Sequence, residues 1–283
     1  MRAVSRPQIS VIVPVLNSRA TLRRCLDSIL GQKSADFELV VVDGDSTDGS
    51  VDILREYGTR LPNWESKPDG GVYPAFNRGV RRATGEWLYF LGSDDWLWSD
   101  DVLQKLSPHL AIAYPEYRVV YGQVIYVNQR GETLTPLGEP WARFRRHFLQ
   151  GHMVPHQAVF HHRGLFKEHG LFNETFRVAG DYEFLLRELA HRPALFVPGV
   201  VIAGYQHGGG SSVPENWMRV LGERRRAYAL NRVRPPRLLW YSFAARTVLR
   251  AALWKVLGAR AAGRLLDWGR ALLGKPAIWT RIP

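Results

Sequence analysis

The sequence predicts an α/β protein with a mainly parallel, doubly wound sheet and a helical appendage at its C-terminal end. Short apolar runs alternate with helical patterns through the first hundred residues, starting with the β-branched run at 9–13. Strands joined by single helices of this length pair in parallel, because each crossover returns the chain to the same end of the sheet. The 283 residues, 46% hydrophobic and 23% charged, suffice for one large domain with an appendage.

The elements of the N-terminal half are predicted in strict alternation. Strands are expected at 9–13, 37–42, near Trp64 and at 87–91, and helices at 19–30, 49–57 and about 73–83. The lone Cys25 lies in the apolar pattern of the first helix, where a small buried hydrophobe is the usual explanation. A single cysteine excludes an internal disulfide and favours a reducing, cytosolic location.

Two adjacent acids, Asp94 and Asp95, directly follow the apolar run 87–91. They are therefore expected at the carboxyl end of a buried strand, where open α/β sheets bind their ligands. Neighbouring carboxylates there indicate Mg²⁺ or Mn²⁺, which take oxygen ligands and keep positions for phosphate and water. The alternative is a solvated turn with Asp95 near the N-cap of the next helix.

Polar loops follow the other predicted strands. Asp43 and Asp45 come after the second strand, where a carboxylate can accept a hydrogen bond from a base or a ribose hydroxyl. Asp69 precedes two glycines that allow close backbone approach, and Asn77 stands one turn into the next helix. Residues 14–17 after the first strand form neither a glycine-rich dinucleotide turn nor a phosphate-binding Gly-Lys-Ser/Thr loop. These loops predict a nucleotide cleft that fits neither a dehydrogenase nor a P-loop kinase.

Four ordered motifs carry a resemblance to a known family: SVIVPVLN at 10–17, VDGDSTDGS at 42–50, DGGVYPAFNRG at 69–79 and GSDD at 92–95. The region 9–212 closely resembles the family 2 glycosyltransferases of the GT-A fold. It is especially similar to bacterial members that build surface polysaccharides and glycolipids. The resemblance implies a nucleotide-sugar donor, UDP-, GDP- or dTDP-linked, a divalent cation, and an inverting single displacement.

The resemblance also implies roles for individual residues. Asp94 would contact the ribose or sugar and Asp95 the metal that bridges the diphosphate, while Asp43 would contact the base. Many relatives carry a second acid straight after that position, where this chain has Gly44, so either Asp43 or Asp45 is expected to recognise the base. The remaining expected donor-binding residues are Pro14, Asn17, Asp69 and Asn77.

Inversion at an anomeric carbon needs a base that removes the proton of the acceptor hydroxyl. The segment VAGDYEFLLR at 178–187 begins a predicted helix with Asp181 at its N-terminal end. In the resembled family an acid at the start of this helix is the general base, which implies this role for Asp181. Glu183 is the second choice, and simple capping of the helix by Asp181 is the structural alternative.

Three further polar residues are candidates for contacts with the acceptor or the mobile part of the site. His156 and Gln157 precede a predicted strand and are expected to line the acceptor or sugar pocket, with ordinary structural hydrogen bonding as the alternative. His207 precedes three glycines that indicate a mobile loop, from which an imidazole could reach the diphosphate or cation on closure. The alternative for His207 is a plain flexible connection.

Basic residues are concentrated in the predicted appendage, 213–283. This region carries fifteen Lys and Arg against three acids, and accounts for the net charge of +12. Its apolar residues alternate with arginines at helical spacing, which predicts amphipathic helices lying on an anionic membrane surface. A helical lid packed on the catalytic domain is the alternative. Nucleic-acid binding is disfavoured because no recognised module accompanies the charge, and no apolar stretch is long enough to span a bilayer.

The sequence therefore predicts a catalytic domain at 1–212 and the appendage at 213–283. The expected protein is a metal-dependent inverting glycosyltransferase, cytoplasmic and peripheral on the inner face of the plasma membrane. Its expected acceptor is a lipid-linked saccharide of polysaccharide or glycolipid biosynthesis. One alternative is a sugar-phosphate nucleotidyltransferase, disfavoured because residues 14–17 lack a glycine-rich basic loop. The other is a non-catalytic sugar-nucleotide-binding scaffold, disfavoured by the retention of all three key acids, Asp94, Asp95 and Asp181.

Overall fold

A nine-stranded sheet organises the part of the chain that the computed structural model describes, residues 7–128, 133–206, 213–274 and 277–281. The strand order is β3-β2-β1-β4-β8-β6-β9-β5, with β7 paired to β6. The strands are β1 Ile9–Val15, β2 Phe37–Asp43, β3 Trp64–Ser66, β4 Trp87–Phe90, β5 Trp96–Leu97, β6 Val119–Val127, β7 Thr133–Leu137, β8 Val159–His162 and β9 Leu195–Gln206.

Helices cover both faces of this sheet. They are α1 Leu22–Leu30, α2 Ser50–Glu56, α3 Val72–Arg82, α4 Val102–Ala113, α5 Trp141–Phe148, α6 Arg163–His169, α7 Gly180–Leu189, α8 Trp217–Leu230 and α9 Arg237–Ala271. The alternating strands and helices predicted for the first ninety residues are present, with ends that differ by at most three residues.

The first four strands are parallel, as the crossover helices require. β1 pairs in parallel with both β2 and β4, and β2 pairs in parallel with β3. Beyond β4 the sheet becomes mixed, because β8 runs antiparallel to β4 and β6, while β6 and β9 are parallel. The α/β fold class is confirmed, and the four strands that precede residue 91 pair with one another only in parallel.

Two apolar clusters fill the space between the sheet and its helices. Alternation along β1 sends Val11 and Val13 to one cluster and Ile12 to the other. Each of these side chains is fully buried, which stabilises the fold by roughly 1.5–3 kcal/mol per side chain. Since both faces are covered, the carboxyl ends of β1, β2 and β4 are the open edge at which a ligand can approach.

The helix α8 packs into the same core as α7. Ala227 and Tyr228 are buried in the second cluster, and the hydroxyl of Tyr228 lies 2.8 Å from that of Tyr182 on α7. The predicted boundary at residue 212 therefore precedes a helix that shares its packing with the preceding domain. The long helix α9 is interrupted at Gly258, whose φ of 74° only glycine adopts without strain, so two helical segments follow α8.

Candidate active site

Two adjoining cavities open at the carboxyl edge of the parallel strands. One, of about 480 Å³, is lined by residues 14–18 and by Asp69 and Asp94. The other, of about 410 Å³, is lined by Asp94, Asp95 and Asp181 among others. Pro14, Val72, Gly92 and Asp94 line both, so the two form one cleft of a size suited to a nucleotide-sized ligand.

The two adjacent acids converge at the centre of this cleft. A β-carbon on Gly92 would lie 2.7 Å from Asp94 Oδ1 and 3.0 Å from Asp95 Oδ2, so both carboxylates point to the same side of the strand end. Asp95 is 1% exposed and accepts hydrogen bonds from the backbone N–H of Gln206 at 2.9 Å and from the side chain of Gln157. Burial, and then the charge of Asp94, hold the pKa of Asp95 well above its usual range.

This pair suits a divalent cation. Burial also raises the pKa of Asp94, and two carboxylates in an apolar setting are costly to ionise together unless a positive charge joins them. Among the residues that the structure describes, no group of three or more His, Cys, Asp or Glu could hold a metal. Mg²⁺ and Mn²⁺ commonly take one or two protein carboxylates and complete their shell with water and substrate phosphate, so an acid pair beside an open cavity fits such an ion.

Asp181 lies in the first turn of α7 and lines the same cavity as the acid pair. Its Oδ1 accepts hydrogen bonds from the backbone N–H of Tyr182 at 2.8 Å and from the Tyr73 hydroxyl at 3.3 Å. The N-cap position belongs to Ala179, so Asp181 is not the cap. Glu183 is buried and paired with Arg187 and Asn231, which leaves it no free carboxylate oxygen to face the cleft.

A residue that the sequence did not single out, Glu223 on α8, holds the segment in front of α7. Its carboxylate accepts three successive backbone N–H groups, those of Arg177 at 2.9 Å, Val178 at 3.0 Å and Ala179 at 2.8 Å. These bonds supply the cap that α7 lacks locally. The partners lie 44 to 46 residues apart in the chain, so no local pattern could have indicated this contact.

The loop after β2 corrects one expectation for the donor site. Asp43 is completely buried, and its carboxylate accepts from the Ser46 and Ser66 hydroxyls and from the N–H groups of Asp45 and Ser46. With four internal donors it organises the loop and presents no open carboxylate to a base. Asp45 is exposed, with φ of 71°, and lines a different cavity on the outer side of this loop.

Asp69 occupies the space that a second acid would need. A β-carbon on Gly44 would lie 2.7 Å from Asp69 Oδ2, so a larger residue at this position would have to displace the carboxylate. Asp69 lines the 480 Å³ cavity, accepts from the backbone N–H of Gly71 at 3.0 Å and lies 3.4 Å from Arg78. Where many relatives carry a second acid, this chain has Gly44, and the Asp69 carboxylate of the next loop lies beside it.

Two asparagines differ in their placement. Asn77 is buried and its amide makes three hydrogen bonds, to both backbone groups of Phe172 and to Glu174, so it ties down a neighbouring loop and lines neither part of the cleft. The expectation that Asn77 faces the donor is therefore wrong. Asn17 lines the cleft with Pro14, at φ of 49°, and accepts from the N–H of Thr47 at 2.9 Å.

His156 and Gln157 both line the 410 Å³ cavity. The His156 ring stacks on Phe90 with centroids 5.6 Å apart, and its Nε2 has no hydrogen-bond partner among the described residues. Burial lowers the pKa of His156 despite the opposing charge of Asp181, so the ring is neutral. Gln157 donates to Asp95, a contact with the acid pair that sequence reasoning did not foresee. His207 lies outside the described residues.

Comparison with known proteins decides the family. The model of glycosyl transferase family 2 matches residues 10–167, more than half of the chain. The chain belongs to glycosyltransferase family 2. A "PGL/p-HBAD biosynthesis glycosyltransferase" of Mycobacterium bovis is 39% identical over 214 residues, which cover 74% of this chain and 80% of the relative. The chondroitin synthase of Pasteurella multocida is 32% identical over 184 residues, 64% of this chain and 19% of that protein.

Solved structures of low sequence identity share the fold of this family 2 glycosyltransferase. The mannosyltransferase PcManGT from Pyrobaculum calidifontis, in complex with GDP-Man and Mn²⁺, has a TM-score of 0.62 at 21% identity and covers 95% of this chain and 81% of its own. S. aureus TarS 1–349 in complex with UDP-GlcNAc has a TM-score of 0.59 at 21% identity and covers 93% and 73%. The resemblance to GT-A glycosyltransferases expected from the sequence motifs is confirmed.

Proposed function

We propose that this glycosyltransferase transfers a sugar from a nucleotide diphosphate to an acceptor hydroxyl with inversion, using a divalent cation. The observation that carries the proposal is that Asp94, Asp95 and Asp181 line one cavity of about 410 Å³. A cation site and a carboxylate base on one cavity are what a single displacement needs, since the departing diphosphate and the attacking hydroxyl flank the same anomeric carbon.

On the donor side, Asp95 with Asp94 would hold Mn²⁺ or Mg²⁺. The bound ion would neutralise the charge that builds on the diphosphate leaving group. We assign base or ribose recognition to Asp69, because Asp43 is internally satisfied and Asp45 faces a different cavity. Pro14 and Asn17 would form the wall of the nucleotide site. Fold neighbours solved with UDP-GlcNAc and GDP-Man make UDP-, GDP- and dTDP-sugars the donors to test.

On the acceptor side, Asp181 would accept the proton of the attacking hydroxyl. The Tyr73 hydroxyl holds one carboxylate oxygen of Asp181, and Glu223 fixes the backbone in front of it. Gln157 orients Asp95, and His156 borders the space between the acid pair and Asp181. A base held by these contacts on the same cavity as the acid pair supports the proposal of direct displacement without a covalent intermediate.

The outer face of α9 supports a membrane-associated role. Exposed apolar residues recur on it at intervals of three and four, namely Leu238, Tyr241, Ala245, Leu249, Ala252 and Val256, and after the break Leu265, Trp268 and Leu272. Trp240 and Trp254 on the opposite face contact aromatic rings of α8. No described helix is long and apolar enough to cross a membrane. We propose that this stripe and the flanking arginines bind the inner, anionic face of the plasma membrane, where a lipid-linked acceptor would lie.

The test is release of nucleoside diphosphate from UDP-, GDP- and dTDP-sugars with Mn²⁺, with and without a lipid-linked saccharide. We expect Asp95→Ala and chelation by EDTA to abolish transfer, and Asp181→Asn to abolish it while donor binding by calorimetry is retained. Asp100→Asn is the matched control, since Asp100 is an exposed acid paired with Lys33. Sugar transfer that survives both chelation and Asp95→Ala would refute the metal-dependent mechanism.

A further inference from the structure

A cluster of basic side chains that form no ion pair within the described residues lies between α5, α8 and α9. It consists of Arg224, Arg246, Arg250 and His152, and we call it the arginine cluster. The Nε atoms of Arg224 and Arg250 are buried and have no hydrogen-bond partner within the described ranges. None of the ion pairs formed by the described residues includes any of the three arginines.

Aromatic rings hold the two inner arginines in place. Arg224 lies over Tyr182 at 5.3 Å and over Phe243 at 5.5 Å, and Arg250 lies over Trp217 at 4.0 Å. Such contacts use the flat face of the guanidinium. They leave the Nε–H of each arginine, one of the in-plane donors that recognise oxyanions, without an acceptor among the described residues.

The His152 ring lies close to all three arginines. Its ring lies 5.0 Å from Phe243 and 5.8 Å from His147, between α5 and α9. Burial, followed by the charges of Arg224, His147, Arg246 and Arg250, lowers the pKa of His152 to about 4. Glu139, an acid in front of α5, pairs with His147 at 3.4 Å.

The position of the cluster indicates what kind of ligand it would take. Arg224 is close enough to Asp181 for the two charges to interact, although they form no ion pair. His152, but none of the three arginines, lines a third cavity of about 400 Å³, whose wall is mainly apolar, with Phe144 and Met153, and includes the acid Glu139. A ligand here would carry an anionic group beside an apolar body, next to the proposed base.

We propose that the arginine cluster binds the phosphate group of an amphiphile. Buried positive charges are costly unless an anion pairs with them, and arginine presents parallel N–H donors that match phosphate oxygens. The phosphate belongs either to a lipid-linked acceptor or to an anionic membrane lipid. Only the first of these assignments rests on the proposed transferase function.

The first measurement is binding of n-dodecyl phosphate to the full chain, with n-dodecyl maltoside as the uncharged comparison. We expect Arg250→Gln and the milder Arg224→Lys each to weaken binding of the phosphate about ten-fold or more, as loss of a charged hydrogen bond does. Arg225→Gln is the matched control, because Arg225 is exposed on α8 next to Arg224, and the substitution removes the same charge as Arg250→Gln. Equal affinity in the wild type, in Arg250→Gln and in Arg224→Lys would overturn the proposal.

A second readout uses only the unmodified protein and so does not depend on how the variants fold. We expect the pKa of His152, followed by NMR, to rise when n-dodecyl phosphate binds, because the phosphate offsets the surrounding cations. An unchanged His152 titration at saturating n-dodecyl phosphate would also overturn the proposal.

Two arms then identify the source of the phosphate. If Arg250→Gln lowers kcat/KM for a phosphate-bearing acceptor but not for a phosphate-free one, the group belongs to the acceptor. If phosphatidylglycerol vesicles displace n-dodecyl phosphate and both acceptors are used equally well, it belongs to a membrane lipid. A chain without transfer activity would contradict the proposed function and leave the two binding measurements as a full test of the cluster.

Discussion

Replacement of Glu223 by alanine should destabilise the protein and slow transfer together. The substitution removes three hydrogen bonds to successive backbone N–H groups. The N–H of Ala179 is buried and would lose its partner outright, at a cost of about 1–3 kcal/mol. The other two are partly exposed and can bind water, which reduces their cost to about 0.5–1.5 kcal/mol each. We therefore expect a loss of about 2–6 kcal/mol in the free energy of unfolding.

Glu223→Gln should lie between the wild type and the alanine variant. The single side-chain oxygen of the glutamine variant can retain the two hydrogen bonds that Oε2 accepts. Its NH₂ group would then face the N–H of Arg177, and two donors cannot form a hydrogen bond. Urea denaturation measures the stability of each variant. Glu215→Ala, an exposed glutamate ahead of α8, is the control and should leave the unfolding midpoint unchanged.

The kinetic effect tests the link to catalysis. At a temperature where every variant is folded, kcat of Glu223→Ala should fall at least ten-fold because the backbone that carries Asp181 loses its cap, while KM for the donor stays within about two-fold. Unchanged stability would refute the hydrogen-bond reasoning. Lower stability with full kcat would refute the claim that Glu223 positions the base.

Three further predictions follow from the site. Asp95→Asn should raise the melting temperature of the metal-free protein at neutral pH. Burial raises the pKa of Asp95, so the free energy of unfolding falls as the pH rises through that pKa and the buried carboxyl ionises. The asparagine amide stays neutral and avoids this loss. Differential scanning calorimetry at pH 5 and 8 checks this, with the larger gain at pH 8. Gly44→Ala should weaken donor binding about ten-fold by displacing the Asp69 carboxylate, as measured by calorimetry. Leu249→Glu with Val256→Glu should abolish sedimentation with phosphatidylglycerol vesicles, because both side chains lie on the exposed apolar stripe of α9.

Each of these three predictions has a matched control or an outcome that would contradict it. Asp100→Asn should leave the melting temperature unchanged, and an equal gain in both asparagine variants would contradict the role of burial. Gly70→Ala places a methyl group 3.6 Å from Pro74, an ordinary contact, and should bind donor normally. If the doubly charged variant of α9 still sediments with vesicles, the stripe is not the membrane contact.

The parts of the fold that could be predicted from the sequence are those with local signals. Continuous apolar runs indicated β1, β2 and β4, and Asp94 and Asp95, which follow β4, line the cleft at the carboxyl edge of these strands. A strand was expected after His156 and Gln157, where β8 lies, but β5, β6, β7 and β9 were not predicted. β5 has only two residues, and β9 is interrupted by exposed positions at Pro198 and Gly199. Antiparallel pairing of β8 with β4 joins segments about seventy residues apart, which no local pattern indicates.

In the candidate site, too, local motifs were predictable and contacts with distant residues were not. Asp94, Asp95 and Asp181 were identified from motifs and line one cavity. Asn77 was misplaced because its partners, Phe172 and Glu174, lie on a loop that tertiary folding brings against α3. Asp43 was misjudged because the serines that satisfy its carboxylate come from two different loops. A side chain's chemistry could be inferred from type and spacing, whereas its orientation depended on distant neighbours.

The contact of Glu223 with the segment before α7 limits how the polypeptide can be divided. An enzyme cut at residue 212 would lose the carboxylate that accepts three hydrogen bonds from its backbone, and also part of its apolar core. Chimeras that exchange the C-terminal tail between related transferases should therefore be joined in the turn between α8 and α9, at residues 231–236. The protein that contributes the tail then supplies α9 but not α8.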